Sequence, residues 1–554
     1  MAFGGGTSLT LRFRPNPETD GAFERPDGAP IPVSAPDWDR ALDLLRKINS
    51  LRDSSGRRVS ALLREDGFEP WWYGQDRLLR FYLVPLTQLL PVLPLLDARR
   101  TLHAEGVPPD LARVFQAIGG REGFACLEGA VPPPRTESPG RWAMWMLAFA
   151  SLAAFRLARR DTVFYIIDHV SPGRREDFRF SPLYRELERG GFAFAEYAHT
   201  LSPYQALKNF FRRGRPVFFI ESADFHARLA PSRLPAPDLK LPSGGLATAE
   251  DRALRALLPT VIEGCLHSIA RQRVLKRALR FQQARRALIF DDNRHNFELT
   301  AACLALGIPV LGFQHGVFNK FHAGLMAFGF SGPRPHAFDR YGVWSELFRE
   351  RLLRDSTLFS PERVFIAGPV RPPERPAAVP QRPPKASSPV AKVRVLVVSE
   401  PLARKREVAP FLQALRKDTG VELYLKLRPG ESEKSLEEYS LSPADVRLIR
   451  TGTVYEAFAQ VDAAVGTYSS VLYEAALALI PVVWMNTTRA YGRELAEEGL
   501  AETAEKPEEL PDAIRRAVTL PEAELRRRRE KIWGGEVRNG AECLTRELRR
   551  LGAG

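Results

Sequence analysis

One pattern occurs twice in this chain of 554 residues and narrows its architecture more than any other feature. It is a continuous apolar run, a short polar turn, a helix-forming segment and a second apolar run. The first copy passes through Leu288-Ile289-Phe290, then Asp291-Asp292-Asn293, and closes on Ile308-Pro309-Val310. The second passes through Ala463-Ala464-Val465, then Gly466-Thr467-Tyr468-Ser469-Ser470, and closes on Ile480-Pro481-Val482. Apolar runs without alternation fit parallel strands covered on both faces. A strand, a crossover helix and a second parallel strand form a βαβ unit, so two copies in separate halves predict two doubly wound α/β domains.

Other apolar runs extend the two sheets. Residues 162–167 end in Asp168, 216–220 in Glu221, 308–313 in Gln314-His315-Gly316, 393–398 in Ser399, and 421–427 in Arg428. Polar residues thus collect at the carboxyl ends of the strands, the edge where open α/β sheets bind ligands. Residues 369–392 contain eight prolines and no apolar periodicity, which predicts an extended linker. The expected division is an N-terminal helical extension (1–160), a first Rossmann-like domain (161–368), the linker, and a second Rossmann-like domain with C-terminal helices (393–554). A terminal helix is expected to pack back across the cleft.

Length and charge limit the alternatives. At roughly 100–200 residues per domain the chain is too long for one core. The net charge of +14 favours anionic partners such as nucleotide phosphates, glycans or a membrane surface. No interleaved basic and aromatic motif points to nucleic acid. The four cysteines, Cys126, Cys265, Cys303 and Cys543, are far apart and suggest neither a zinc ribbon nor a disulfide framework. The apolar stretches 81–96 and 142–155 are interrupted by proline or too short for the ~20 residues a bilayer requires. With no signal-peptide pattern at the start, a cytoplasmic location is expected, with peripheral contact at the inner membrane face. The pair Trp71-Trp72 reads as core, with sugar stacking as the other option.

The turn 466–470 is the main candidate for a ligand site. A helix opening there aims its first N–H groups and the positive end of its dipole out of the sheet edge, where they suit phosphate. Ser469 and Ser470 add hydroxyls, although Ser469 can also serve as an N-cap. Glu474 lies one turn beyond Ser470 and can accept hydrogen bonds from a ribose. The donor-side candidates are Ser399, Lys426, Arg428, Gly466, Thr467, Ser469, Ser470 and Glu474. At the strand ends of the first half, Asp291 or Asp292 is the favoured catalytic carboxylate, with His315 second and Glu221 also a candidate. Asp168, Gln314 and Gly316 are expected to line the acceptor side. His295, His322 and His336 lack metal-ligand spacing, so neither a metal nor a cofactor is expected.

Two Rossmann-like domains without a GxGxxG turn resemble glycosyltransferases of the GT-B architecture. Leu425-Lys426-Leu427-Arg428-Pro429, followed by Gly466-Thr467-Tyr468-Ser469-Ser470, resembles the paired HP and SS motifs of bacterial enzymes that use cytidine-activated donors. These include sialyltransferases, capsule and O-antigen Kdo transferases, and teichoic-acid glycerophosphotransferases. Gln314-His315-Gly316 is similar to the QHG of the capsule-type Kdo transferases. Arg428 stands where those families place the histidine of HP; a guanidinium can contact phosphate bidentately but cannot accept a hydrogen bond. The resemblance covers roughly residues 160–500. It implies metal-independent transfer of a sugar, with Kdo or a related acidic sugar favoured, from a CMP-activated donor to a surface polysaccharide or glycolipid. UDP-sugar or CDP-glycerol donors, or a non-catalytic nucleotide-binding partner in polysaccharide assembly, are the alternatives.

Overall fold

A computed structural model of the chain describes residues 9–14, 22–24, 30–33, 35–93, 102–105, 107–119, 140–167, 177–199, 215–229, 248–290, 294–371, 392–399, 405–427, 431, 433–450, 452–487 and 492–552. The strands in chain order are β1 (Leu9–Arg14), β2 (Ala22–Glu24), β3 (Pro30–Pro32), β4 (Leu102–Glu105), β5 (Thr162–Ile167), β6 (Phe194–His199), β7 (Val217–Phe219), β8 (Arg286–Phe290), β9 (Val310–Phe313), β10 (Arg340–Val343), β11 (Val364–Ile366), β12 (Val393–Val398), β13 (Val421–Lys426), β14 (Arg447–Ile449), β15 (Ala463–Gly466), β16 (Val482–Met485) and β17 (Glu502–Ala504).

Two of the three sheets are parallel throughout. The first has the order β11-β10-β9-β8-β5-β6-β7 and the second β14-β13-β12-β15-β16-β17. In each, the chain begins at a central strand, builds outward one way and then reverses. The crevices at these reversals lie between β5 and β8 and between β12 and β15. This is the doubly wound arrangement expected from the repeated module, and it gives the chain an α/β fold of GT-B type.

Strand burial explains the missing alternation. Val395 and Val397 of β12 enter a core formed within the second sheet's own layer. Leu396 and Val398 enter the larger core that continues into the first domain. Both faces are therefore apolar, and the hydrophobic period of two disappears.

Two features, the N-terminal sheet and the long helix Ala249–Gln282, were not expected from the sequence, and a third, the return of the terminal helix, was. The N-terminal extension is not wholly helical: β3-β2-β1-β4 form a separate sheet in which β1 pairs parallel with β4. Its core contact is aromatic, with Phe23 packing against Phe13 and Phe115 at centroid distances of 5.4 and 5.8 Å. The last helix, Gly540–Leu551, leaves the second sheet and covers the first. Its buried Ala541, Leu544 and Leu548 complete the first domain's core, and Arg549 donates to the carbonyl of Gly190 at 3.1 Å. The final turns thus belong structurally to the first domain. Finally, the 34-residue helix Ala249–Gln282 is the one described helix long and apolar enough to cross a membrane, but 56% of its apolar window is buried inside the protein.

Trp71 and Trp72 are core residues, as their density suggested. Their indole N–H groups bond to Asn49 Oδ1 at 2.8 Å and Glu69 Oε2 at 3.0 Å. Most of the proline-rich linker, residues 372–391, lies outside the described residues.

Candidate functional site

At the second sheet's crevice, β15 ends at Gly466 and helix Ser470–Leu477 opens four residues later. Ser469 is its N-cap, with extended backbone and a side chain that accepts from Val471 N at 3.2 Å. The capping role therefore holds for Ser469. Ser470 instead hydrogen-bonds to Glu474, as does Tyr455. Burial pushes the Glu474 carboxyl up to about 7, against these two bonds and the positive charge of Arg371. Arg371 stands at the start of the linker, so Glu474 faces the segment that joins the two halves.

Gly492 holds this turn in place. Its φ is +83°, and a Cβ there would sit 1.8 Å from the Thr467 carbonyl oxygen, so only glycine fits. Lys426, at the end of β13, donates to the Gly452 carbonyl at 3.1 Å, and burial lowers its pKa. Ser399 does not open toward a ligand. It is 2% exposed, and its hydroxyl lies 2.9 Å from Tyr439 OH.

The loop after β9 meets this turn from the first domain. Gln314, expected on the acceptor side, is buried and ties the loop together. Its Nε2 donates to Gly316 O at 2.9 Å, and its Oε1 accepts from Trp344 N at 2.9 Å. His315 packs against Phe290 at 4.9 Å between centroids. No atom would approach a Cβ on Gly316 within 4 Å, so the loop has open space beside it. His322 accepts from Asn319 N at 3.1 Å through Nδ1, which leaves its proton on Nε2. Desolvation, with the charges of Arg80 and His315, keeps this imidazole neutral against that bond. The two motif loops then touch: Tyr468 OH donates to the Val317 carbonyl, and the Tyr468 ring lies 6.2 Å from that of His322.

Further contacts secure the two halves. Arg351 of the first domain pairs with Glu498 at 2.6 Å and donates to Tyr473 OH at 3.1 Å. Trp344 stacks on Trp533 at 5.8 Å, and Trp533 donates to Tyr473 O at 2.9 Å.

At the first sheet's crevice, two imidazoles stand over the end of β5. His199, which ends β6, and His295, in the first turn of helix Arg294–Ala305, lie 5.7 Å apart. Each is backed by a glutamate. His199 Nδ1 is 2.8 Å from Glu221 Oε1, and His295 Nδ1 is 3.4 Å from Glu298 Oε2. Glu221 follows the carboxyl end of β7 by two residues, in the first turn of the helix Ile220–Leu229 that starts directly after the strand.

Glu298 is buried and anchored by Arg271, whose Nε donates at 2.7 Å, and by Ser268 Oγ at 2.6 Å. Arg271 also reaches Asp224 at 2.7 Å, and Asp224 in turn bonds His267 at 3.2 Å. Burial pushes Glu298 up, but the charges of Arg271 and His295 outweigh it and hold the carboxyl well below the usual range. For Asp224, burial is likewise overcome by His267 and Arg271, to about 2. The carboxylates are ionised, as an imidazole-orienting partner must be.

Of the sequence candidates, Gly466, Thr467, Ser469, Ser470, Glu474, His315 and Gly316 come together around the two meeting loops. Asp168, Asp291, Asp292 and Arg428 lie outside the described residues. The sequence reading passed over His199, Glu298 and Arg271 and gave His295 no role. The i,i+3 spacing of His295 and Glu298 was a legible signal. Arg271, in mid-helix and 27 residues from Glu298, left none. Among the described residues, no group of three or more His, Cys, Asp or Glu side chains is placed to hold a metal ion.

No protein-family model matches the sequence, and no curated protein matches it. Solved structures share the general chain trace. MurG of Acinetobacter baumannii is 12% identical, covering 70% of this chain and 99% of its own, at a TM-score of 0.41. The calicheamicin glycosyltransferase CalG4 is 15% identical, with 71% and 98% covered, at 0.41. The UDP-GlcNAc 2-epimerase from Neisseria meningitidis, bound to UDP-GlcNAc, is 13% identical, with 70% and 98% covered, at 0.39. At these values the likeness carries no functional inference.

Proposed function

We propose that this protein is a glycosyltransferase that moves a sugar from a nucleotide-activated donor to a glycan or glycolipid acceptor, without a metal, at the inner face of a membrane. The observation that carries this reading is the meeting of the two motif loops, where Tyr468 of the second domain clasps Val317 of the first. The donor phosphate fits the N–H groups and Ser470 at the opening of helix Ser470–Leu477, where fixed dipoles can stabilise the charge of the leaving phosphate. In this reading Glu474 takes the ribose hydroxyls. The acceptor hydroxyl gives up its proton to one of the imidazoles over β5 as its oxygen bonds to the anomeric carbon and the bond from that carbon to the phosphate oxygen breaks. From the motif resemblance, a CMP-activated acidic sugar such as Kdo is the first choice of donor.

A thermal-shift series with CMP, CDP, UDP and GDP tests the donor class. The expected result is stabilisation by the cytidine nucleotides, lost in Ser470→Ala. Stabilisation by UDP alone moves the donor to a UDP-sugar, and no shift with any nucleotide overturns the reading.

Glu474 gives a pH prediction. Its folded pKa of about 7 exceeds the ordinary carboxyl value of 4.5, so between these values the folded state holds more protons than the unfolded chain. Stability then falls as pH rises from 4.5 to 7 and is level beyond. The change amounts to roughly 3 kcal/mol at most, from about 1.4 kcal/mol per pKa unit. Denaturant titrations of Glu474→Gln at pH 5 and 8 should show this dependence removed and the variant more stable than the parent at pH 8.

A further inference from the structure

Five large apolar side chains stand more than a third exposed among the described residues, and four lie on three mutually packed helices, one from the end of the N-terminal extension and two from the first domain. They are Phe149 (53%) and Leu157 (82%) on Gly140–Leu157, Leu229 (63%) on Ile220–Leu229, and Phe281 (57%) on Ala249–Gln282. Phe149 and Leu157 are eight residues apart and share a helix face. Phe149 packs edge-on against Phe225 at 5.5 Å, and Phe225 precedes Leu229 by one turn. At the other end Arg156 lies over the Phe281 ring at 4.6 Å. The four side chains therefore belong to one surface.

The rim of that surface is basic. Arg159, Arg228, Arg277 and Arg280 are exposed around it. Among the described residues none of the four forms an ion pair, whereas neighbouring Arg286 is matched by Asp161 at 3.1 Å. Exposed apolar area of this kind marks an interaction site, and the charge selects the partner. A second copy of this chain would set arginine against arginine, whereas an anionic bilayer pairs each guanidinium with a headgroup and takes the apolar side chains below it.

We infer that this face, centred on Leu157 and Phe281, docks the protein on a membrane rich in anionic lipid. Leu157 and Phe281 come shortly before β5 and β8, at the amino ends of those strands. The candidate site is at the carboxyl ends, so a docked protein keeps its cleft open to water. The inference stands on the surface itself and does not depend on the proposed transfer reaction.

Co-sedimentation with vesicles of phosphatidylcholine, with and without 30 mol% phosphatidylglycerol, at about 0.1 and 0.5 M salt, tests it. The expected result is binding to the anionic vesicles alone, weakened by salt. Leu157→Ser with Phe281→Ser, or Arg277→Glu with Arg280→Glu, should lower it at least tenfold while leaving the melting temperature unchanged. Equal binding by parent and variants, or no binding to anionic vesicles, overturns the inference. So does a dimer in sedimentation equilibrium that Leu157→Ser dissociates, because the face would then be covered by a second copy. Tighter binding of the parent to random DNA than to vesicles, lost in the arginine variants, assigns the face to nucleic acid and also overturns it.

Discussion

His199→Ala or His295→Ala is expected to lower the turnover of sugar transfer by about two to four orders of magnitude, the range for loss of a positioned proton acceptor. The two rings lie 5.7 Å apart over the first sheet's crevice, and each has its Nδ1 on a glutamate. A ring that donates Nδ1–H to a carboxylate carries its lone pair on Nε2, which is the atom proposed to take a proton from an acceptor hydroxyl. The turn proposed for the donor is in the other domain, so nucleotide-induced stabilisation should be unchanged in both variants. Glu221→Gln separates the roles. A glutamine still accepts a hydrogen bond from His199 but cannot stabilise the imidazolium that forms on proton transfer, so turnover should fall with KM for the donor held constant. If both alanine variants keep full turnover, the imidazoles have no part in the chemistry and the catalytic group must be sought at residues 291–293.

Arg271→Leu should lower the stability of the first domain by about 3–5 kcal/mol, the usual consequence of leaving a buried charge without its partner. The guanidinium is fully buried and joins two carboxylates, Glu298 and Asp224. Asp224 keeps His267 in the variant, whereas Glu298 keeps only Ser268 and His295. The sign of the pH dependence follows. In the parent, Glu298 titrates below its unfolded value, so its contribution is present above that value and lost only in strong acid. Without Arg271 its pKa rises above the unfolded value, and the variant should regain stability as pH falls through that raised pKa. Chemical denaturation at pH 5 and pH 8 checks this. The pair Arg271→Leu with Glu298→Leu removes both buried charges and should be less destabilised than the single variant at pH 8. A single variant as stable as the parent at pH 8 would show that the network does not hold the first crevice together.

The two predictions bear on different kinds of information in the sequence. Runs such as Thr162–Ile167 and Val393–Val398 were legible because a strand covered on both faces must be apolar throughout, whichever chain covers it. The turn 466–470 was legible for a related reason, since a helix that starts at a sheet edge leaves its N–H groups open and places serines beside them. Short strands were harder to read. The three-residue β11 carries too little pattern to stand out, and β1 sits in an extension whose clearest periodic segment, 37–51, is helical.

Residue type and spacing by themselves determined the α/β class, the two doubly wound halves, and a polar turn that opens a helix at Ser469 and Ser470. These follow from local hydrogen bonding and from the periodicity of burial, which each segment carries within itself. Tertiary structure alone decided that Ser399 and Gln314 are structural and that Glu474 faces Arg371. It also brought His199 beside His295 and set Arg271 beneath them. Those pairings join residues tens to hundreds of positions apart, and an imidazole or a guanidinium has the same local propensity whether it meets water or a buried carboxylate. Only the packed sheets and helices decide which of the two it meets.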